Sequence, residues 1–322
     1  MPNFAWLLLL VALTALLVRS SIRARRLARP FSRWGVLGGA SVLAILAAGS
    51  SVLTIAGMIK QHRRSAPVPE IKVNATLDQI DRGRALADTF CGSCHSKYGP
   101  MVGGMDIGKE IAVPVGSFVT TNLTAAGPLP RWSDGQIFRA IRNGVDADGN
   151  WLVIMSYTNA GRLSDADTKA LIAYIRSLPV VGAETANPPD HLNLLGLIML
   201  GAGLLPAGHP TFVGAIAAPP KGPTARYGEY ILSYQDCREC HGANLKGGVP
   251  GQLGPIGPDL DLVKAWKREE FITTMRTGTD PGGHEITERM PWRALGKMDD
   301  EELTAVYEYL TSGRDSQHMA AN

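Results

Sequence analysis

A Cys-X-X-Cys-His motif occurs twice in this sequence and accounts for all of its cysteines. The first copy is Cys91-Gly-Ser-Cys94-His95 and the second is Cys237-Arg-Glu-Cys240-His241, in a chain of 322 residues with four cysteines. Two cysteines at this spacing can each form a thioether with a haem vinyl group, and the histidine that follows is placed to ligate the iron. The motifs therefore predict two covalently bound haem c groups, with His95 and His241 as iron ligands.

A Cys-X-X-Cys pair can also be a thioredoxin-type redox pair or one half of a zinc site. The redox interpretation needs a βαβ context, which the sequence lacks, and neither pair has the further ligands that a zinc site needs. At the Cys and His frequencies of this chain, one accidental motif is expected in about one chain in a thousand. Two motifs with no cysteine left over therefore favour covalent haem.

The second axial ligand of each iron separates electron carriers from haem catalysts. In the first half Met155 lies in Trp151-Leu-Val-Ile-Met155-Ser-Tyr157, and in the second half Met290 lies in Glu288-Arg-Met290-Pro-Trp292. Both stretches are loop-like and precede a well-marked helix, so we predict Met155 and Met290 as the remaining iron ligands. A haem closed by His and Met has no free site for oxygen or substrate and can only pass electrons.

Other side chains compete for these two positions. Met101 and Met105 follow His95 so closely that the chain has little room to travel round the haem edge, which favours Met155. The rivals of Met290, which we rank below it, are Met275, His284 and Met298.

The two halves also repeat each other outside the motifs. Arg142-Asn-Gly144-Val-Asp146 corresponds to Arg276-Thr-Gly278-Thr-Asp280, and Met155 corresponds to Met290. A helix with an N-terminal capping signal follows each methionine, and another helical segment precedes each motif. The sequence therefore predicts an internal duplication of a haem module of about 100 residues.

This pattern resembles class I cytochromes c, in which a helix with a glycine, the haem motif, a late methionine loop and a crossing C-terminal helix follow in order. Gly83 and Gly228 would allow the crossing helices to approach closely. The stretch Gly257-Pro258-Asp-Leu260 resembles the family segment whose proline carbonyl accepts the axial histidine proton. The first module departs from the pattern because it has Thr121-Asn122-Leu123 at the corresponding place.

In more detail the chain resembles the dihaem cytochrome subunits that accompany membrane-bound dehydrogenases, over residues 74–180 and 224–312. The matching stretches are Trp132-Ser-Asp-Gly135-Gln-Ile137, Arg142-Asn-Gly144-Val-Asp146 and Leu163-Ser-Asp165-Ala-Asp167. The resemblance implies a redox partner that is a dehydrogenase or respiratory complex subunit. It also implies haem modules on the periplasmic side of the inner membrane, where covalent haem is assembled.

Residues 1–64 carry nine basic side chains and no acidic ones. Two uncharged runs predict transmembrane helices at about 3–18 and 35–59, and an arginine cluster lies between them. Because positive loops stay in the cytoplasm, this cluster places everything after Lys60 outside it. The flanking apolar runs count against nucleic-acid binding, and the start Met-Pro-Asn-Phe lacks the positive region of a signal peptide.

The rest of the chain is acidic despite the basic whole. The formal net charge is +3 and residues 1–64 contribute +9, so residues 65–322 carry −6. A redox partner with a basic docking face would meet this part of the chain faster.

Residues 182–223 form an apolar linker that is rich in Gly and Pro. It is uncharged from Leu192 to Pro220. A membrane crossing there would put the second haem motif in the cytoplasm, so we predict a short helix and an extended tail that pack between the modules, on the membrane or on a partner. We predict His191 and His209 to be solvated linker residues rather than iron ligands.

The expected fold is all-α, with two N-terminal transmembrane helices followed by two tandem class I cytochrome c domains. The boundaries are 1–64 for the anchor, 65–181 for domain 1, 182–223 for the linker and 224–322 for domain 2. The expected function is electron transfer from a dehydrogenase or quinol-oxidising complex towards a terminal acceptor, with no catalytic residue. The alternatives are a haem-carrying subunit of a haem-copper terminal oxidase and a dihaem peroxidase, which needs an open iron face.

Overall fold

The computed structural model describes residues 2–182, 189–252 and 255–312. Parts of the predicted anchor (residue 1), linker (183–188) and second haem domain (253–254 and 313–322) lie outside the described residues. The chain divides into two compact units, each made of three segments. The first unit comprises Met1–Ser65, Asp106–Val119 and Pro189–Gly208, and the second comprises Ala66–Met105, Thr120–Pro188 and His209–Asn322.

Helices make up most of the regular structure. In chain order they are α1 (Pro2–Ala24), α2 (Pro30–Gln61), α3 (Leu77–Leu86), α4 (Gly92–His95), α5 (Asp134–Asn143), α6 (Asp165–Ser177), α7 (Leu194–Ala202), α8 (Ala225–Tyr234), α9 (Cys237–His241), α10 (Arg268–Thr277), α11 (Trp292–Leu295) and α12 (Asp300–Thr311). A π-helical turn, Ala87–Cys91, continues α3. The 3₁₀ turns are Ile107–Lys109, Leu129–Arg131, Ile154–Ser156, Asn159–Arg162 and Leu260–Ala265. The predicted mostly helical fold class is confirmed.

In the first unit, α1 and α2 are joined by residues 25–29 and pack side by side. Both are long and apolar enough to cross a membrane, and they extend beyond the predicted spans at both ends. The buried face of α2 consists of small residues, which allow close helix packing: Ala44, Ala47, Ser51, Thr54 and Gly57.

The first unit also holds the short regular elements of the linker. Strand β1 (Gly116–Ser117) pairs with strand β2 (His191–Leu192) in antiparallel register. Helix α7 follows β2 and packs against α2, where a Cβ added to Gly57 would lie 2.0 Å from the carbonyl oxygen of Leu197. The apolar linker therefore contains a helix that is docked on the second N-terminal helix.

The second unit contains the duplicated modules, and each is built on one helix crossing. Helix α3 crosses α6 in the first module, and α8 crosses α12 in the second. A Cβ on Gly83 would lie 2.0 Å from the Ala170 carbonyl oxygen, and one on Gly228 would lie 1.9 Å from that of Ala305. The predicted close helix approach at these two glycines is confirmed, because only a residue without a side chain fits there.

A second repeated feature is the turn that ends α5 and α10. Gly144 and Gly278 cap these helices in the left-handed conformation, with φ of 59° and 73°. Two residues later the carboxylates of Asp146 and Asp280 each accept the backbone N–H four residues on, at 2.7 and 2.8 Å. The predicted correspondence of the two stretches is therefore confirmed in detail.

The linker tail lies along the second unit. The backbone N–H of His209 donates to the Ser156 carbonyl oxygen at 2.7 Å, and that of Ile216 donates to the Asp165 carboxylate at 3.1 Å. His209 is half-buried and its Nε2 is shielded from solvent. The prediction of a solvated His209 is therefore wrong, because the linker tail packs this residue against the methionine loop of the first module.

We expect Gly228→Ala to destabilise the protein by about 1–3 kcal/mol, since the new methyl group would overlap backbone atoms that cannot move away. Urea unfolding of the full chain would measure this loss. Gly222→Ala is the matched control, because its Cβ would meet only the Thr224 methyl group, at 3.9 Å. Equal effects of the two substitutions would contradict the close crossing.

Candidate haem sites

Both cysteine motifs lie on short helices directly after the first helix of a module. Cys91 ends the π-helical turn after α3 and leads into α4, while Cys237 begins α9 three residues after α8 ends. None of the four cysteines is disulfide-bonded. Burial raises the pKa of Cys91 and of Cys237 to about 12. A raised pKa does not favour the thiolate on which thioredoxin-type pairs depend.

The two histidines are oriented by backbone carbonyl groups. Nδ1 of His95 lies 2.8 Å from the carbonyl oxygen of Thr121, and Nδ1 of His241 lies 2.8 Å from that of Pro258. A carbonyl oxygen can only accept, so Nδ1 donates in each ring and Nε2 keeps its lone pair for a metal. Burial lowers the pKa of His95 and so favours the neutral ring, while the hydrogen bond to Thr121 acts in the opposite direction.

The backbone at Gly257 packs closely against the imidazole of His241. A Cβ on Gly257 would lie 2.8 Å from Nδ1 of that imidazole, so the segment before Pro258 needs a glycine for its close approach. The first module reaches the same histidine geometry without a proline, because the acceptor is a backbone carbonyl that any residue can supply. The departure at Thr121-Asn122-Leu123 therefore does not remove the orienting hydrogen bond.

Met101 occupies the same structural position as Leu245 in the second module. Both are buried residues with positive φ, 55° and 61°. The Met101 carbonyl oxygen accepts the backbone N–H of Leu123 at 2.8 Å, and the Leu245 carbonyl oxygen accepts that of Leu260 at 3.0 Å. Each donor lies two residues after the residue whose carbonyl binds the motif histidine. A leucine cannot ligate iron, so in the second module this position serves packing in the loop that follows the histidine.

Met155 and Met290 lie on the late loops and pack, half-buried, against the hydrophobic core that also contacts Cys91 and Cys237. In the first module Ser156 follows the methionine, and its hydroxyl accepts the Trp151 Nε1–H at 2.7 Å. That hydrogen bond fixes the loop where the second module has Pro291.

The other sequence candidates lie in settings that do not favour ligation. Met275 and Met298 are buried in the apolar core. His284 is exposed and pairs with Asp280, with 3.1 Å between Nδ1 and a carboxylate oxygen. Met105 lies in the loop after His95, where its backbone N–H is bound to the Thr120 hydroxyl.

The residues around the motifs fit a haem. Within the described ranges no group of three or more His, Cys, Asp or Glu side chains could hold a metal ion by itself, so a zinc site lacks ligands. Among the described residues, two buried donors, Gln235 Nε2 and Trp292 Nε1, have no hydrogen-bond acceptor. They lie two residues before Cys237 and two residues after Met290, and a haem has carboxylates that could accept from such donors.

The two modules share an interface centred on Arg82. Its guanidinium binds Asp167 of its own module at 2.8 Å, and Glu302 and the Tyr227 hydroxyl of the other module. Although burial works against the charge, these partners raise the pKa of Arg82. Asp167 also accepts the Tyr230 hydroxyl at 2.6 Å, so helices from both modules meet at one polar cluster.

The methionine loop of each module packs on the segment that carries the other module's motif. Asn159 donates to the Asp236 carboxylate through its backbone N–H and its side-chain amide, at 3.1 and 2.9 Å. Reciprocally, α11 packs against Ala87–Cys91. Phe90 and Tyr234 meet edge to face with ring centroids 6.4 Å apart. The two cysteine motifs therefore face a common interface.

Sequence reasoning did not find the interface residues. Arg82, Asn159 and Asp236 are ordinary polar residues of a helix or loop, and their partners lie 77 to 220 residues away in the chain. Asp167 and Glu302 occupy equivalent capping positions in the sequence, and in the structure only Glu302 closes its capping box. Both carboxylates bind Arg82, so the capping pattern gives no signal of this interface.

Comparisons with known proteins agree with this geometry. Residues 80–179 match the family described as cytochrome c, and residues 223–310 match the family described as cytochrome c oxidase, cbb3-type, subunit III. The chain is similar to the fructose dehydrogenase cytochrome subunit of Gluconobacter japonicus, with 33% identity over 290 residues that cover 84% of this chain and 52% of that protein.

Two further relatives are less similar. The gluconate 2-dehydrogenase cytochrome c subunit of Pantoea cypripedii is 25% identical over 270 residues, covering 72% of this chain and 59% of that protein. The cytochrome c subunit of the quinone-dependent alcohol dehydrogenase of Gluconobacter oxydans is 26% identical over 250 residues, covering 73% and 47%. The chain thus spans about half the length of the fructose dehydrogenase subunit and less than two thirds of each relative.

The matched segments identify both modules: this chain contains two cytochrome c domains. Such domains bind haem c covalently, and the CxxCH-type sites lie here around Cys91 and Cys94 and around Cys237 and Cys240. Electron transfer is the class of function that these domains define, and two apolar N-terminal helices accompany them.

We expect Arg82→Met to cost about 3 kcal/mol or more of stability, because it leaves the Asp167 and Glu302 carboxylates largely buried without their cation. Urea unfolding with the haems attached would measure it. Arg276→Met is the control, since Arg276 pairs with an exposed carboxylate, that of Asp300, and should cost less than about 1 kcal/mol. A small effect at both positions would contradict the central role of Arg82.

Proposed function

We propose that this chain is a membrane-anchored dihaem cytochrome that carries electrons outside the cytoplasmic membrane, from a dehydrogenase or quinol-oxidising complex towards a terminal acceptor. The observation that carries the proposal is the repeated site: each motif histidine has a carbonyl partner on Nδ1, and each module presents a half-buried loop methionine. The proposed domain boundaries are 65–181 and 224–322, with the anchor before them and the linker between.

Each residue of the proposed sites has one role. Cys91 and Cys94, like Cys237 and Cys240, attach the haem through thioethers. His95 and His241 ligate the iron through Nε2. The haem supplies the change between ferrous and ferric iron when bound.

The proposed second ligands of the two irons are Met155 and Met290. A methionine ligand would close the iron to oxygen and substrate and would raise its reduction potential. The position that Met101 shares with Leu245 supports Met155 as the ligand of the first site. With both faces closed, the chain acts as an electron carrier and has no catalytic residue of its own.

The shared interface supports electron exchange between the two sites. The Asn159–Asp236 contact joins the methionine loop of one domain to the residue before Cys237 of the other. The Phe90–Tyr234 contact joins the segments that lead into both motifs. Domains held together by these contacts and by the Arg82 cluster would undergo little structural change when an electron passes between them.

The arginine cluster supports the proposed topology. Residues 19–33 hold six arginines between the two apolar helices, and a loop of this charge stays in the cytoplasm. Both ends of the helix pair then lie on the periplasmic side, which places both cysteine motifs where covalent haem is assembled.

The relatives support a dehydrogenase as the electron donor. Three of the similar proteins are described as cytochrome subunits, of fructose dehydrogenase, gluconate 2-dehydrogenase and a quinone-dependent alcohol dehydrogenase. The net charge of −6 on residues 65–322 would favour a basic docking face on the donor or the acceptor.

The match of residues 223–310 to a cbb3-type oxidase subunit favours one second candidate, a haem-carrying subunit of a terminal oxidase. Affinity purification from mild-detergent membranes separates the two. Haem reduction by a dehydrogenase substrate without added enzyme supports the first function, whereas co-purified, cyanide-sensitive oxygen consumption supports the second.

We expect Met155→Ala and Met290→Ala each to remove about half of the weak charge-transfer band that methionine sulfur gives with ferric haem, because each removes one of two sulfur ligands. Each variant should also open one haem to carbon monoxide. Optical spectra of the purified ferric and ferrous proteins measure both effects. Met101→Ala is the control and should leave the band unchanged.

Carbon monoxide binding by the ferrous wild type would contradict the closed-site proposal. That site would then have an open face, and a catalytic function would replace the electron carrier there. Loss of the band in Met101→Ala with no change in Met155→Ala would instead move the ligand of the first site.

Alkaline phosphatase fusions test the topology, since this enzyme is active only outside the cytoplasm. We expect activity when it is fused after Ser65 and none when it is fused after Leu27 in the arginine loop. Immunoblots of whole cells would control for expression. Activity of the Leu27 fusion together with inactivity of the Ser65 fusion would invert the proposed orientation.

A further inference from the structure

The uncharged linker helix α7 is docked on the last turns of α2. A Cβ on Gly57 would meet the Leu197 backbone, and one on Gly201 would lie 2.0 Å from the Leu53 carbonyl oxygen. Two glycines thus let the helix backbones touch, in the manner of small residues between membrane helices. The contact lies inside the apolar run of α2, which is uncharged until Lys60.

The position of this contact sets the depth of α7. Leu53 and Gly57 precede Lys60 by seven and three residues, so at 1.5 Å per residue they lie about 5–10 Å below it along the helix. Half of the hydrocarbon core is about 15 Å thick. With Lys60 at the outer boundary of that core, α7 lies at the depth of the outer leaflet.

Both ends of α7 have side-chain hydrogen-bond partners, which an apolar environment favours. At its N-terminus the Asn193 side chain accepts the Gly196 N–H at 2.9 Å and donates to the Pro114 carbonyl oxygen at 2.6 Å. At its C-terminus the Lys60 ammonium donates to the carbonyl oxygens of Leu200 and Gly201, at 3.0 and 3.1 Å. Helix ends in water need no such partners, whereas in lipid no water can replace a missing one.

Both α7 and the end of α2 on which it is docked expose apolar side chains. Leu195 is 43% exposed on α7, and the neighbouring end of α2 exposes Val52, Ile55 and Ile59. The second residue after α7, Leu204, is 69% exposed. None of these exposed side chains carries a formal charge, and Lys60 marks the end of the apolar stretch of α2.

We propose that α7 is a membrane-embedded half-helix whose outer face is covered by lipid acyl chains of the outer leaflet. It enters and leaves the membrane on the same side, so both cysteine motifs stay outside. The inference rests on the proposed membrane anchor but not on the haem ligation or the redox partner.

Cysteine labelling in native membranes tests it on the full chain. The native cysteines are proposed to be thioether-bound, so a cysteine introduced by Leu195→Cys would be the one reactive thiol. Leu77→Cys, 79% exposed at the start of α3, is the aqueous control, and Ile45→Cys, 70% exposed within α2, is the lipid control. A charged, membrane-impermeant maleimide reports on water, because only a hydrated thiol ionises and reacts.

We expect Leu195→Cys to react about tenfold more slowly than Leu77→Cys and at the rate of Ile45→Cys. In the wild type, an apolar diazirine that partitions into the bilayer should label the peptide of residues 194–202, as it labels α1 and α2. Fast maleimide reaction of Leu195→Cys would overturn the proposal. Slow reaction without diazirine labelling would also overturn it, because a protein partner would then cover the helix.

The controls separate this proposal from the proposed function. Fast reaction of Ile45→Cys would show that α2 does not span the membrane and would overturn both. Maleimide labelling of the wild-type protein would show free native thiols, which contradicts haem attachment; the diazirine result alone then decides the position of α7.

Discussion

The close crossing of the first and last helix in each cytochrome domain is the contact on which both haem sites depend. At Gly83 and Gly228 the helix backbones touch, since any Cβ would overlap the carbonyl oxygen of the facing helix. The cysteine motif begins within a few residues of the end of one helix, and the methionine loop ends shortly before the other begins. One backbone contact therefore sets the relative position of the residues proposed to bind opposite faces of the iron.

The two cytochrome domains contact each other close to both cysteine motifs. Each methionine loop packs against the segment before the other domain's motif, and the polar cluster at Arg82 joins helices of both domains. A charge with this degree of burial is stable only with its partners in place. The domains are therefore held in one arrangement, which suits electron exchange between two fixed centres.

The features that could be predicted from the sequence are those that depend on local sequence patterns. The two motifs, the crossing glycines and the repeated Gly144 and Gly278 turns depend on residue type at fixed spacing, and all appear where expected.

The features that could not be predicted depend on tertiary contacts. The acceptor for His95 is a backbone carbonyl, and any residue at 121 would supply it. The Arg82 cluster joins side chains from distant segments, and the burial of His209 results from the path of the linker tail. The sequence also does not predict that α7 docks on α2, because an uncharged run with glycines is compatible with an extended tail, a membrane span or a docked helix.

The central claim is that the chain holds two six-coordinate haems that behave as one unit. Electron paramagnetic resonance of the purified protein, first fully oxidised and then partly reduced, tests it most directly. In the oxidised protein the account predicts two low-spin ferric signals in equal amounts and no high-spin signal. In the partly reduced protein it predicts that the signal of the remaining ferric haem changes when the other haem is reduced. A high-spin ferric signal, or a single haem per chain, would contradict it.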